Sequence, residues 1–183
     1  MKQEPDPLKE KFEYEQKLVN GSRSRKWSIW LSFTGLLVGL ALAILSYLGS
    51  IPLGYKFGPY WLNHWIGWLA FGFIIIYVPI FIVLKKRNIK IYGKLIRIHQ
   101  VGFIAAFILV SLHIGSQISR VFPPEIGTGI AAYVCLFVLV VTGIMQRNQM
   151  LAIRPNTLRF VHLSMVVSFF LVIVFHIVRA FLL

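Results

Sequence analysis

Four of the chain's five histidines fall into two pairs at one interval: His99 with His113, and His162 with His176, each fourteen positions apart. In an α-helix fourteen residues make nearly four full turns, so the two members of a pair point within about 40° of each other and stand about 21 Å apart along the axis. Both pairs lie in long apolar runs. If each run is a transmembrane helix, the runs carrying the pairs are the third and the fifth, and they travel in the same direction because one span separates them. His99 then stands level with His162, and His113 with His176. A facing couple of neutral imidazoles suits the two axial positions of a six-coordinate haem iron, with one ligand from each of two neighbouring helices. A zinc or copper ion needs more ligands at a single depth. The spacing therefore points to two haem b groups, one held by His99/His162 and one by His113/His176. A lone intramembrane histidine is often a packing or hydrogen-bonding residue, but two pairs at one interval on alternate spans are not explained that way.

Other residues repeat the interval or sit near it. Gly129 and Gly143 on the fourth run are fourteen apart, as are Gly58 and Gly72 before and within the second. The flat edge of a macrocycle needs a backbone without a Cβ to come close, which glycine supplies; small-residue helix packing is the competing explanation. The expectation is that Gly58 and Gly129 lie near the depth of His113 and His176, and Gly72 and Gly143 near that of His99 and His162. Haem propionates need cationic partners. Arg97 and Arg159 precede His99 and His162, while Arg120 and Arg179 follow His113 and His176; snorkelling at the interface is the alternative role for each. Ala106 and Phe169 lie midway between the histidines of their runs. His64 has no partner at the interval and reads as an interfacial hydrogen-bonding residue. Glu125, the single acid outside the N-terminal segment, reads as a loop cap or a proton acceptor.

The elements that must position these residues are five apolar stretches, about 27–49, 60–84, 95–118, 127–147 and 158–182, in a chain of 183 residues that is 57% hydrophobic. Each is long enough as a helix to cross a hydrocarbon core, which takes about 20 residues. None alternates as barrel strands do. The fold class is all-α, a polytopic transmembrane bundle of five spans. Residues 1–26 form a polar N-terminal segment, 27–49 an additional span, and 58–183 a four-helix unit holding the histidines. Pro79 falls inside the second span and is expected to kink it. The net charge of +13 suggests nucleic acid only until its distribution is read. Sixteen of the 19 lysines and arginines lie in 1–26, 85–97 and around 147–159, all on one side of a five-span protein. The positive-inside rule makes that side cytoplasmic, with the N-terminus there and the C-terminus outside. Cys135 is the only cysteine, which excludes an intrachain disulfide, a cysteine-held iron–sulfur cluster within this chain and a CxxCH haem attachment.

The H-x13-H pattern on two parallel spans, with G-x13-G on the spans flanking them, resembles the di-haem four-helix core of the cytochrome b family of quinol-oxidising complexes. Spans two to five, about 120 residues, cover that core. The family's PEWY quinol-site motif is missing; Pro124-Glu125-Ile126-Gly127 echoes it only faintly. A weaker resemblance links the pattern to ferric-reductase-like membrane domains, which usually draw on a flavin domain that this chain lacks. The resemblance implies electron transfer across the bilayer, with iron–sulfur, flavin or cytochrome c proteins as partner subunits in a membrane of lipids, and quinone as a candidate ligand. A stand-alone transmembrane reductase is the alternative within the same chemistry. A haem-free scaffold or transporter is the alternative from another class.

Overall fold

A computed structural model describes residues 22–87, 91–118, 127–148 and 155–182. It is helical apart from one short hairpin: α1 (Ser22–Tyr47), β1 (Lys56–Phe57), β2 (Tyr60–Trp61), α2 (Leu62–Arg87), α3 (Tyr92–Ile118), α4 (Gly127–Asn148) and α5 (Pro155–Leu182). All five helices are long and apolar enough to span a membrane, as the apolar runs predict, and the chain is a multi-pass membrane protein by that measure. The helix ends follow local chemistry. α1 closes on Gly49, whose φ of 75° and the bonds from Gly49 N to Ser46 O and Ser50 N to Leu45 O make a Schellman cap. α5 starts on Pro155, and proline is favoured at the first helical position. α2 runs unbroken through Pro79.

The α1–α2 connection holds a structure the apolar pattern does not announce. Lys56 pairs with Trp61 and Phe57 with Tyr60 across a two-residue turn. Gly58 opens that turn with φ 64°, the positive value that primed hairpin turns demand. The hairpin is tied back to α2 by Trp65, whose indole N–H donates to the Phe57 carbonyl at 2.8 Å and whose ring meets Phe57 and Tyr60 edge-on.

α3 is the hub. It packs against α1, α2 and α4, while α5 leans on α4. α3 and α5 are not among the helix pairs in close backbone contact. The α1–α3 seam is a stripe of small residues: a Cβ on Gly35 would meet Ile104, one on Gly39 would meet Phe107, and one on Gly115 would strike the Ala43 carbonyl. Contacts advance together along both helices, so the two are parallel. Polar bonds finish the seam. Gln100 donates its amide to the Ser28 and Ser32 hydroxyls at 2.7 and 2.8 Å, and Ser46 donates to the Leu112 carbonyl at 3.1 Å. Without a water-driven hydrophobic effect between spans, such close packing and interhelical hydrogen bonding are what hold them. A second cluster, with Ala106, Phe107, Leu136, Val140, Ile144 and Phe169 among its buried members, joins α3, α4 and α5 at mid-height. Phe160, Leu163, Val167, Leu171, Val174 and Val178 leave an apolar stripe of α5 exposed, as a lipid-facing surface is.

The α1–α3 seam gives a direct test. Gly115→Leu places side-chain atoms against a backbone carbonyl that cannot rotate away, and destabilises the bundle by on the order of 1–3 kcal/mol. Gly72→Ala, where a Cβ meets nothing within 4 Å, is neutral or stabilises by up to about 1 kcal/mol. Thermal unfolding of both variants in detergent measures the difference; equal midpoints would contradict the seam.

Candidate functional site

Because α3 and α5 run the same way, their histidines fall at two levels. His113 and His176 lie toward the hairpin side, His99 and His162 toward the side of the α2–α3 connection. Within each level the two rings are in electrostatic range of each other, His99 with His162 and His113 with His176. Among the described residues no three His, Cys, Asp or Glu side chains converge as a metal cluster, so the arrangement is one of couples.

At the hairpin level, His113 is seated on α2. Its Nδ1 lies 2.9 Å from the Asn63 carbonyl and 2.6 Å from Asn63 Oδ1. The ring comes this close because Gly67, one turn along, has no Cβ; one there would sit 3.1 Å from His113 Nδ1 and 3.3 Å from Cγ and Cε1. His176 shares a 3.1 Å hydrogen bond between Nδ1 and Thr128 Oγ1, and its Cε1 would be 3.2 Å from a Cβ on Gly129. His64 is also here. Its ring centroid is 6.1 Å from that of His113 at 65°, and Gln117 donates an amide N–H to its Nε2 at 3.3 Å.

The other level repeats this plan with one change. His162 Nδ1 is 2.9 Å from Thr142 Oγ1, and its Cε1 would be 3.6 Å from a Cβ on Gly143. The Thr142 hydroxyl proton is already committed to the Val138 carbonyl at 2.7 Å. Thr142 oxygen therefore accepts, and His162 Nδ1 carries the proton. His99 instead sits in an aromatic box. Phe81 stacks on it at 4.9 Å and 28°, with Phe103 at 4.5 Å and Tyr77 at 6.0 Å. The Tyr77 hydroxyl is turned away, donating to the Leu95 carbonyl. His99 Nδ1 is buried with no hydrogen-bond partner among the described residues.

The chemical consequence lies in the second nitrogen. Where Nδ1 donates, the imidazole is the tautomer whose Nε2 holds the lone pair, the form that ligates a metal. His113 and His162 meet that condition by the nature of their acceptors. No described residue hydrogen-bonds Nε2 of any of the four.

The remaining site residues divide. Gly129 and Gly143 lie against His176 and His162 as the interval suggests. Gly58 does not belong to this set: it is in the hairpin turn, where its φ accounts for the glycine. Gly72 is also displaced. α2 aligns Asn63 and Gly67 with His113, and Tyr77 and Phe81 with His99, so Gly72 falls between the levels, and nothing lies within 4 Å of a Cβ there. Arg97 stands about 200° round α3 from His99, within electrostatic range of Arg147, which donates to the Ser28 hydroxyl at 2.9 Å. It is thus on the α1 side and not beside the His99 ring. Arg159 is exposed one turn before His162, and Arg179 is within electrostatic range of His176. Arg120 and Glu125 lie outside the described residues.

Asn63, Gly67, Tyr77, Thr128 and Thr142 went unread in the sequence, yet the same interval marks them. Thr128-Gly129 recurs as Thr142-Gly143, and Asn63 and Gly67 recur as Tyr77 and Phe81, each fourteen residues on. In comparisons with known proteins, no family model, curated protein or solved structure matches the chain.

Removing the Thr142 hydroxyl tests the His162 bond. Thr142→Val leaves a buried Nδ1–H without its acceptor and lowers stability by about 1–3 kcal/mol. Thr142→Ser keeps the acceptor and stays within about 0.5 kcal/mol of the parent. Equal unfolding midpoints for the two variants in detergent would remove the bond from the account.

Proposed function

We propose that this chain is a membrane di-haem b-type cytochrome that passes electrons across the bilayer. Its expected setting is the membrane subunit of a respiratory, quinone-linked redox complex. The observation that carries the reading is the pairing of His99 with His162 and of His113 with His176, each within electrostatic range, at two levels of parallel helices that are not among the pairs in close backbone contact. Three further features fit the same group. The acceptors at Nδ1 of His113 and His162 leave Nε2 as the ligating nitrogen. Gly129 and Gly143 keep the α4 backbone low beside His176 and His162. Among the described residues no three His, Cys, Asp or Glu side chains converge as a metal cluster at either level, and His64, whose ring centroid is 6.1 Å from that of His113, is engaged by Gln117. The haem irons, once bound, supply reversible one-electron chemistry. The protein's own part is to fix the four rings, exclude water and meet the propionates, for which Arg159 and Arg179 stand at the two ends and Arg120 is a further candidate.

The kinship with the cytochrome b core rests on the spacing of these residues. Iron–sulfur, flavin or cytochrome c subunits and quinone are the partners such a role calls for. With the cation-rich ends of α2 and α3 on the cytoplasmic face, the N-terminus is inside and the C-terminus outside.

A pyridine haemochrome assay on the purified chain gives two haems per polypeptide. His99→Ala and His113→Ala each remove one, and the reduced-minus-oxidised spectrum stays low-spin. Absence of haem, or a single high-spin haem, overturns the reading. Orientation has its own measurement. In a Cys135→Ala background, a membrane-impermeant maleimide labels Ser50→Cys in intact cells and spares Lys86→Cys. The reverse pattern inverts the topology.

A further inference from the structure

The four imidazoles are not held alike. His113 Nδ1 faces two acceptors on Asn63, His162 and His176 each face one threonine hydroxyl, and His99 Nδ1 faces none. We infer that Asn63 and Gly67 of α2 form a seat that positions His113 and strengthens it as a donor, so that Asn63 tunes the hairpin-side centre alone. This rests on the di-haem reading and extends it to a residue that touches the ligand but not the metal.

The seat is a built feature. Asn63 is fully buried, although it is only the second residue of α2. Its side-chain Nδ2 donates to Ser116 Oγ at 3.3 Å, which turns Oδ1 toward the imidazole. The backbone carbonyl and Oδ1 are both acceptors without protons. His113 Nδ1 must therefore carry the proton, and Nε2 the lone pair. Reaching that carbonyl requires the ring to lie over the helix surface one turn further on, where Gly67 gives it room. α2 thus supplies both the acceptors and the clearance, while contributing no ligand of its own.

Sharing one N–H between two oxygens shifts electron density into the ring and makes Nε2 a stronger donor. A stronger donor favours the oxidised iron and lowers its potential, because hydrogen bonding around the ligand is one of the protein's levers on a haem. Nearby cations do not reproduce this asymmetry. Lys85 is in electrostatic range of His99, and Arg179 of His176, so a described cation stands near each level. The hydrogen bonds at Nδ1 distinguish the levels, together with His64 beside His113 and the aromatic rings around His99.

The test uses the full chain in detergent. Haem is counted first, then each protein is titrated by spectroelectrochemistry. In Asn63→Leu, one of the two components is reduced more easily, with its oxidised-to-reduced ratio at fixed poise falling roughly tenfold, about 59 mV for one electron. The other component does not move. Asn63→Asp keeps the shape, adds a stronger acceptor and shifts the same component the opposite way. Gly67→Ala, which crowds the ring off its seat, moves it in the sense of Asn63→Leu. Two haems with titrations superimposable on wild type in both Asn63 variants, or equal shifts of both components, overturn the seat and leave the di-haem reading standing. If Asn63→Leu fails to assemble, the isosteric Asn63→Asp decides alone. Wild-type protein without haem overturns the underlying reading, and the seat's redox role with it.

Discussion

Inside a membrane a polar side chain has no water to fall back on, and each one must be answered by protein. Four imidazoles at bilayer depth are therefore the most demanding groups in this chain. Three of them have Nδ1 bonded to residues on helices other than their own: Asn63 on α2, Thr142 and Thr128 on α4. α2 and α4, which carry none of the four imidazoles, thus help to decide how those rings are turned. For His113 and His162, whose Nδ1 partners only accept, the lone pair is at Nε2. The architecture is a division of labour, with α3 and α5 presenting rings and α2 and α4 supplying Nδ1 partners and clearances to three of them.

That division depends on the rotation of α3, which α1 holds. Gly115 is two residues from His113, about 200° round the helix, and its close approach to the Ala43 carbonyl places α1 on the face opposite the histidines. Ile104 and Phe107 press on Gly35 and Gly39 from the same face. A rotation of α3 that withdrew His113 from Asn63 would drive these side chains into the α1 backbone. The additional first span is thus coupled mechanically to the site, although no α1 residue is a candidate ligand.

How much of this was legible follows from what an interval can and cannot specify. The histidine pairs were readable because residue type, spacing and the order of the spans all agree. Gly129 and Gly143 were readable for the same reason. Gly58 and Gly72 share the interval but lack the phase. An interval states that two residues share a face, and says nothing about the depth at which that face begins. The hairpin at Lys56–Trp61 shortens α2 at its start, and the α2 residues that reach the histidines are Asn63, Gly67, Tyr77 and Phe81. Glycine marks where an imidazole has clearance, whereas the polar partners of the rings are Asn63, Thr128 and Thr142, residue types that in a helix serve as readily for packing and backbone bonding. Arg97 is close to His99 in sequence but about 200° round α3 from it, which turns it toward Arg147 and α1.

The repeat also shows where the two levels part company. Fourteen residues separate Asn63 from Tyr77 and Gly67 from Phe81, so α2 brings equivalent positions to His113 and to His99. At the first level they are two acceptors and a clearance; at the second, a phenol turned to Leu95 and a phenyl ring stacked on the imidazole. A buried ring nitrogen left without a hydrogen bond costs about 1–3 kcal/mol, so His99 in its aromatic box carries a penalty that the Asn63 seat avoids. The geometry that aligns the rings is thus common to both levels, while the chemistry around them is not. The fourteen-residue repeat sets the two levels at which the imidazoles lie, and the side chains of α2 make those levels unequal.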